Sequence, residues 1–238
     1  SLDKYVTSPG ELQEEVDLGW LYYLTCYSYE QDIDAEGNIV CDTIGDAAAI
    51  GICGSGLLDT LAELFVHGII NRTGRFQAEG DRRLLEGEDG LEFTLVAENG
   101  EQKRIVITQA DIDNLIRSKA GVFAAVRSLM ETTQTKTEDL DAVYLAGGFG
   151  NFMNVERAVT IGILPDVPVE KIHFVGNTSL AGAKAVLLSR QGRAVAEQIA
   201  TAMTYVDLMS HSGYMEEFVR ANFLPHTDLS LFPSQHIE

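Results

Sequence analysis

The chain has 238 residues, 45% of them apolar and 22% charged, and its 36 acidic against 17 basic side chains leave a formal charge of −19. That length suits one large domain or two small ones with a sizeable core, and so acidic a balance argues against a nucleic-acid face, which needs clustered Lys and Arg against phosphate. No run approaches the ~18 apolar residues of a membrane helix, and three cysteines (Cys26, Cys41, Cys53) without a CxxC pair fit the reducing cytoplasm better than a disulfide framework or a metal knuckle.

The opening "SLDKYVTSPG" has no signal-peptide core and no initiator Met, as expected of a piece of a longer protein. Residues 11–17 read as a short helix, and residues 20–29, with the only Trp at position 20, as a strand. After a turn at Glu36-Gly37-Asn38, Ile39 to Thr43 reads as another strand. Ile50 to Cys53 is a short apolar strand, broken by Gly54-Ser55-Gly56. Leu57, Leu58, Leu61, Leu64 and Phe65 then recur at helical spacing, and Gly68 stands where a left-handed residue would end that helix.

"GLEFTLVAENGEQKRIVIT" reads as a β-hairpin turning at Asn99-Gly100. Thr108 with Asp111 is a variant capping box. It opens a long helix ending near Thr132, with Ile112, Leu115, Ile116, Phe123, Val126 and Met130 on its apolar face; Lys119 falls in the same sector. A buried strand from Ala142 to Ala146 runs into "GGFGN". A helix follows and ends before Pro165. A strand from Lys171 to Val175 turns at Gly176-Asn177 into a helix starting near Thr178 or Ser179, and a further helix spans Arg193 to Thr204. The ending "FLPHTDLSLFP" is irregular, and apolar enough to pack on the core. Strands alternating with helices put the chain in the α/β class.

Three glycine turns, at 54–56, 147–151 and 176–179, each join an apolar strand to a helix. In α/β sheets ligands bind at the carboxyl ends of strands, where helix N-termini offer free N–H groups to anions. The specific fingerprints fail: "GSGLLD" has Asp59 where a Rossmann motif needs its third glycine, and there is no P-loop. From spacing alone a phosphate or nucleotide site and plain turns requiring positive φ stand level.

"AVYLAGGFGN" resembles the adenosine motif of the actin, sugar-kinase and heat-shock-chaperone (ASKHA) ATPases, and "FVGNTSLAGAKAVL" resembles their second connecting motif. More narrowly, "IGICGSGLLDTLAEL", "VYLAGGFGNFMNVERAVTIGILPD", "FVGNTSLAGAKAVLLS" and "FLPHTDLSLFP" resemble, in order, the ATPase domain of the reductive activators of corrinoid proteins. The resemblance covers residues 38–238 and leaves 1–37 unmatched. It implies an actin-like, ribonuclease H-like ASKHA fold, here the C-terminal half, with an inserted β-hairpin and helix subdomain. It also implies ATP or ADP with Mg²⁺ as cofactor and a corrinoid protein as partner, whose Co(II) form is returned to Co(I). A homodimer is compatible with it; a nucleic-acid or membrane partner is not implied. The two-iron two-sulfur cluster of such activators is expected in an upstream domain, and the Asp-containing phosphate motifs are not found here. The chain alone is therefore expected to be a poor ATPase, and a non-catalytic nucleotide- or protein-binding module of the same fold is the alternative.

Carried onto this sequence, the resemblance places Gly147 and Gly148, with Gly150, against adenosine. Asn151 either caps the next turn or touches ribose. Gly54, Ser55 and Gly56 face the phosphates across the cleft. Lys119 is either a charged clamp on adenine and ribose or a helix charge drawn to the apolar side. Asp59 reads as a buried cap, Cys53 as a thiol beneath the glycine turn, and His226 as a group bonded within its own turn. No catalytic constellation and no metal-ligand set is assigned.

Overall fold

The computed structural model describes residues 51–77, 80–88, 90–98, 103–147 and 153–235. The elements expected at 11–17, 20–29 and 39–43, the turn at Asn99-Gly100, and Gly148, Gly150 and Asn151 lie outside the described residues.

Helix α1, Gly54–Val66, begins at the glycines rather than after them. Cys53 makes this start workable. Its Sγ accepts from the Gly56 N–H at 3.4 Å, and its carbonyl accepts from Leu57 N–H at 2.9 Å. Gly68 then ends the helix at φ +67, while the N–H groups of Ile69 and Ile70 both bond the Leu64 carbonyl.

An antiparallel sheet follows, of β1 (Leu84–Gly87), β2 (Gly90–Val96) and β3 (Ile105–Thr108). The expected hairpin is its β2–β3 half; β1 is an addition. Helix α2, Gln109–Thr132, starts with the expected capping box: Thr108 N–H donates to Asp111 at 2.9 Å, and Asp111 N–H donates to Thr108 Oγ1 at 3.1 Å. Strand β4 (Val143–Ala146) pairs in parallel with β5 (Ile172–Gly176). Between them lies the short helix α3, Val155–Thr160, capped by Asn154 Oδ1. Asn177 caps α4 (Thr178–Leu188), and Ser189 starts α5 (Arg190–Ala202) three residues before the expected point. A helix not expected from the sequence, α6 (Tyr214–Arg220), packs along α2.

Two apolar clusters make the core. One gathers Leu58, Leu61 and Leu64 of α1, Phe93, Ile107, and Ile112 and Ile116 from the first half of α2. The other gathers Ala120 and Phe123 of α2, Ala158 and Val159 of α3, Ile172 of β5 and Phe232 of the C-terminal segment, which packs inward as its composition implies. Met153 and Ile163 touch both. Burying each large side chain contributes about 1.5–3 kcal/mol. By contrast no residue of α4 or α5 is buried; these helices pack on each other. Among the described residues no helix is long and apolar enough to cross a membrane.

Candidate functional site

At the carboxyl end of β4 the chain reaches Gly147 at φ +102, a region L side chains rarely adopt. Its N–H donates to the Gly176 carbonyl at 2.8 Å, so the ends of both parallel strands lie side by side. A Cβ added at Gly147 would meet no atom of the described residues within 4 Å. Packing therefore does not demand glycine here. Backbone conformation does, and no described residue covers the face left bare. Gly147 thus stands at the carboxyl end of parallel strands, the position at which α/β folds bind ligands.

Gly54, Ser55 and Gly56 form the first turn of α1. Gly54 is exposed, whereas Ser55 and Gly56 are buried. The Ser55 hydroxyl lies 3.2 Å from Cys53 Sγ, so the side chain is turned inward, and only Gly54 of the three faces solvent. Cys53 itself is half-buried and serves as cap.

Lys119 is fully buried. Its Nζ donates to the Phe223 carbonyl at 2.6 Å and to the Pro225 carbonyl. The ammonium thus ties α2 to the C-terminal turn. Next to it His226 is buried, accepts from Asp228 N–H at 3.0 Å through Nδ1 as expected, and turns Nε2 toward Glu217 at 3.4 Å.

One turn into α1, Asp59 is buried. Burial pushes its carboxyl from 3.8 up to about 7, Arg157 pulls it down, and Glu63 pushes it up. The folded chain therefore holds an extra proton between these values, and stability falls as pH rises from 3.8 toward 7. Between pH 5 and pH 8 the stability of Asp59→Asn relative to wild type is expected to improve by about 2 kcal/mol, allowing for solvent screening. Urea denaturation at the two pH values measures this; an unchanged gap would mean an ordinary carboxyl.

Sequence reading missed the group that joins α1 to α3. Arg157, on α3, is buried, and its Nη2 reaches Glu63 Oε1 of α1 at 2.7 Å. The available signal was a charged residue within each of two mostly apolar helical stretches, Glu63 in "LAELF" and Arg157, beside Glu156, in "VERAVT".

Comparison with known proteins identifies the family of the chain. The family described as the C-terminal domain of RACo, the ASKHA domain, matches residues 29–236. The corrinoid activation enzyme RamQ of Eubacterium limosum is 31% identical over 194 residues, which is 77% of this chain and 32% of that protein. The [Co(II) methylated amine-specific corrinoid protein] reductase of Methanosarcina barkeri is 27% identical over 161 residues, 68% of this chain and 26% of that protein. A solved structure of a reductive activator for corrinoid, iron-sulfur protein superposes with a TM-score of 0.78 at 49% identity, over 83% of this chain and 32% of that one. The chain thus spans a third or less of each of these relatives. It belongs to the family of C-terminal ASKHA domains of reductive activators of corrinoid proteins.

Proposed function

We propose that this chain is the nucleotide-binding C-terminal half of an ATP-dependent activator that returns Co(II) corrinoid proteins to Co(I) in the cytoplasm. The observation that carries the reading is Gly147: a left-handed glycine at a parallel strand end, with no described residue where its side chain would be. By the family resemblance Gly148, Gly150 and Asn151 take adenosine and ribose, and Gly54-Ser55-Gly56 face phosphate through the exposed start of α1 at Gly54, the Gly56 N–H being taken by Cys53 Sγ. Lys119 serves the site from beneath, by fixing the turn on which α3 rests. Bound ATP with Mg²⁺ would supply the free energy that drives the electron uphill. This chain's part is to bind the nucleotide and change shape with it. The electron-carrying cluster fits elsewhere, since a two-iron two-sulfur cluster takes four thiolates and this chain has three cysteines.

Isothermal titration with ADP and with ATP plus Mg²⁺ is expected to show saturable heat. Gly147→Val is expected to weaken binding at least about tenfold, or ~1.4 kcal/mol, while the folded fraction stays measurable by circular dichroism. No heat at millimolar nucleotide would remove nucleotide binding from this chain.

A further inference from the structure

We propose that His226 is a proton-operated latch: neutral, it closes the C-terminal turn through Asp228, and protonated, it releases that turn and bonds Glu217 of α6 instead. The latch is a property of the turn itself and does not depend on the nucleotide reading.

The structure holds the closed state. His226 is 1% exposed, and its ring centre lies 5.4 Å from that of Phe123. Nδ1 accepts from the Asp228 main-chain N–H at 3.0 Å. A ring nitrogen that accepts carries no proton, so the one proton of the neutral ring is on Nε2. That nitrogen faces Glu217 Oε1 from 3.4 Å, and Arg127 Nε faces the same oxygen from 3.4 Å. All three atoms are buried, and none has a hydrogen-bond partner among the described residues. A well-formed N–H···O bond is shorter, about 2.7–3.2 Å. The closed latch therefore makes the Asp228 bond and leaves the Glu217 bond unmade.

A second proton reverses this. It enters at Nδ1, where two N–H groups then face each other across 3.0 Å, and the Asp228 bond is lost. In exchange the ring becomes a cation beside a carboxylate, and a bond between such charges is about twice as strong as a neutral one. Charged groups face the ring from every element around it. The Glu217 and Asp228 carboxylates favour the cation. Arg127 and Lys119 of α2 oppose it, as does Arg72, whose Nη2 bonds the His226 carbonyl at 2.6 Å. Among the described residues only Glu217 pairs a charge with a ring nitrogen, so it decides which bond forms. The His226 ring and the Arg127 guanidinium hold the Glu217 carboxyl below the usual carboxylate range, so it is ionised where imidazoles titrate. The first part of the turn does not follow. Leu224 N–H stays bonded to the Arg72 carbonyl at 2.8 Å, and Lys119 grips Phe223 and Pro225. What is released is the segment beyond Asp228, which leads to Phe232, itself packed on Phe123.

Amide hydrogen exchange on the whole chain, corrected for intrinsic rates, reads the latch at Asp228 with Leu224 as internal reference. From about pH 8 to about pH 5, Asp228 protection is expected to fall at least about tenfold and Leu224 protection to change less than about twofold. Nitrogen-15 shifts of the ring are expected to show Nδ1 unprotonated at the higher pH and both nitrogens protonated at the lower. His226→Asn places an acceptor that does not titrate near the position of Nδ1, and should keep Asp228 protection level across the range. Glu217→Gln removes the charge that receives the imidazolium, and should move the loss to lower pH. Asp228 protection equal at both pH values, or lost together with that of Leu224, would overturn the proposal. So would an unprotonated Nδ1 at about pH 5, a reading made on the wild type that stands even where His226→Asn does not fold.

Discussion

Lys119→Ala is expected to destabilise the protein by about 3–5 kcal/mol, a large share of the 5–15 kcal/mol typical of a folded domain. Two losses combine. The side chain is fully buried, so its removal leaves a cavity between α2 and the C-terminal segment. Its Nζ also satisfies the carbonyls of Phe223 and Pro225, and each carbonyl left without a donor costs about 1–3 kcal/mol. Lys119→Met separates the two, because it keeps most of the volume and loses only the donors; a deficit of about 2–3 kcal/mol is expected there. The pH dependence identifies the charge. Burial pushes the Lys119 ammonium from 10.5 down to about 7. Between these values the unfolded chain binds more protons than the folded one, so the lysine's contribution to stability grows as pH rises. The gap between wild type and Lys119→Met should widen from pH 7 to pH 9. Guanidinium melts at both values read this directly, and a gap that is flat or narrows would mean that the lysine is not held in an apolar setting.

What the sequence could and could not reveal follows from the range of each interaction. The capping box at Thr108, the left-handed end at Gly68 and the apolar face of α2 depend on residues within one or two turns, and all three are where local reading puts them. The glycine-ended strand β4 is equally local, and its resemblance to a known adenosine motif made the family recognisable. Lys119 is different. Its place on the apolar face was visible, but the two carbonyls it bonds lie 104 and 106 residues away. A lysine on an apolar face reads equally well as a ligand clamp or a core strut until those partners are known. Arg157 and Glu63, from distant helices, give no periodic signal at all. The first turn of α1 shows tertiary context overruling propensity. Two glycines disfavour a helix start, yet the Cys53 cap and the buried leucines behind it make the helix begin there. Strand β1 and helix α6 escaped because they are short and mostly exposed, with little hydrophobic pattern to read.

The second large effect concerns the same C-terminal turn from its other side. Gly162 follows α3 at φ +75, and a Cβ there would lie 2.3 Å from the Pro225 carbonyl oxygen and within 3 Å of the Pro225 C and Cα atoms. These are backbone atoms, so no rotamer relieves the clash. Gly162→Ala is expected to cost at least about 3 kcal/mol, combining the left-handed conformation with displacement of the turn. Gly68 provides the control. It has φ +67, ends α1 in the same way, and has no described atom within 4 Å of its added Cβ. Gly68→Ala should therefore cost only the backbone term, about 1 kcal/mol. Urea denaturation of the two variants isolates the clash as their difference, and equal losses would show that the turn yields freely. Because the Pro225 carbonyl is also the acceptor for Lys119, the two sites share one element. Lys119→Met and Gly162→Ala should then be less than additive, since each displaces the same turn and the second finds it already moved. Helix α3 is pinned by Gly162 at its end and by Arg157 within it, and it begins at Val155, in the segment of chain that follows β4 and Gly147. A turn loosened at Pro225 would thus be felt at the proposed nucleotide face through the helix, with no change to any residue that touches the ligand.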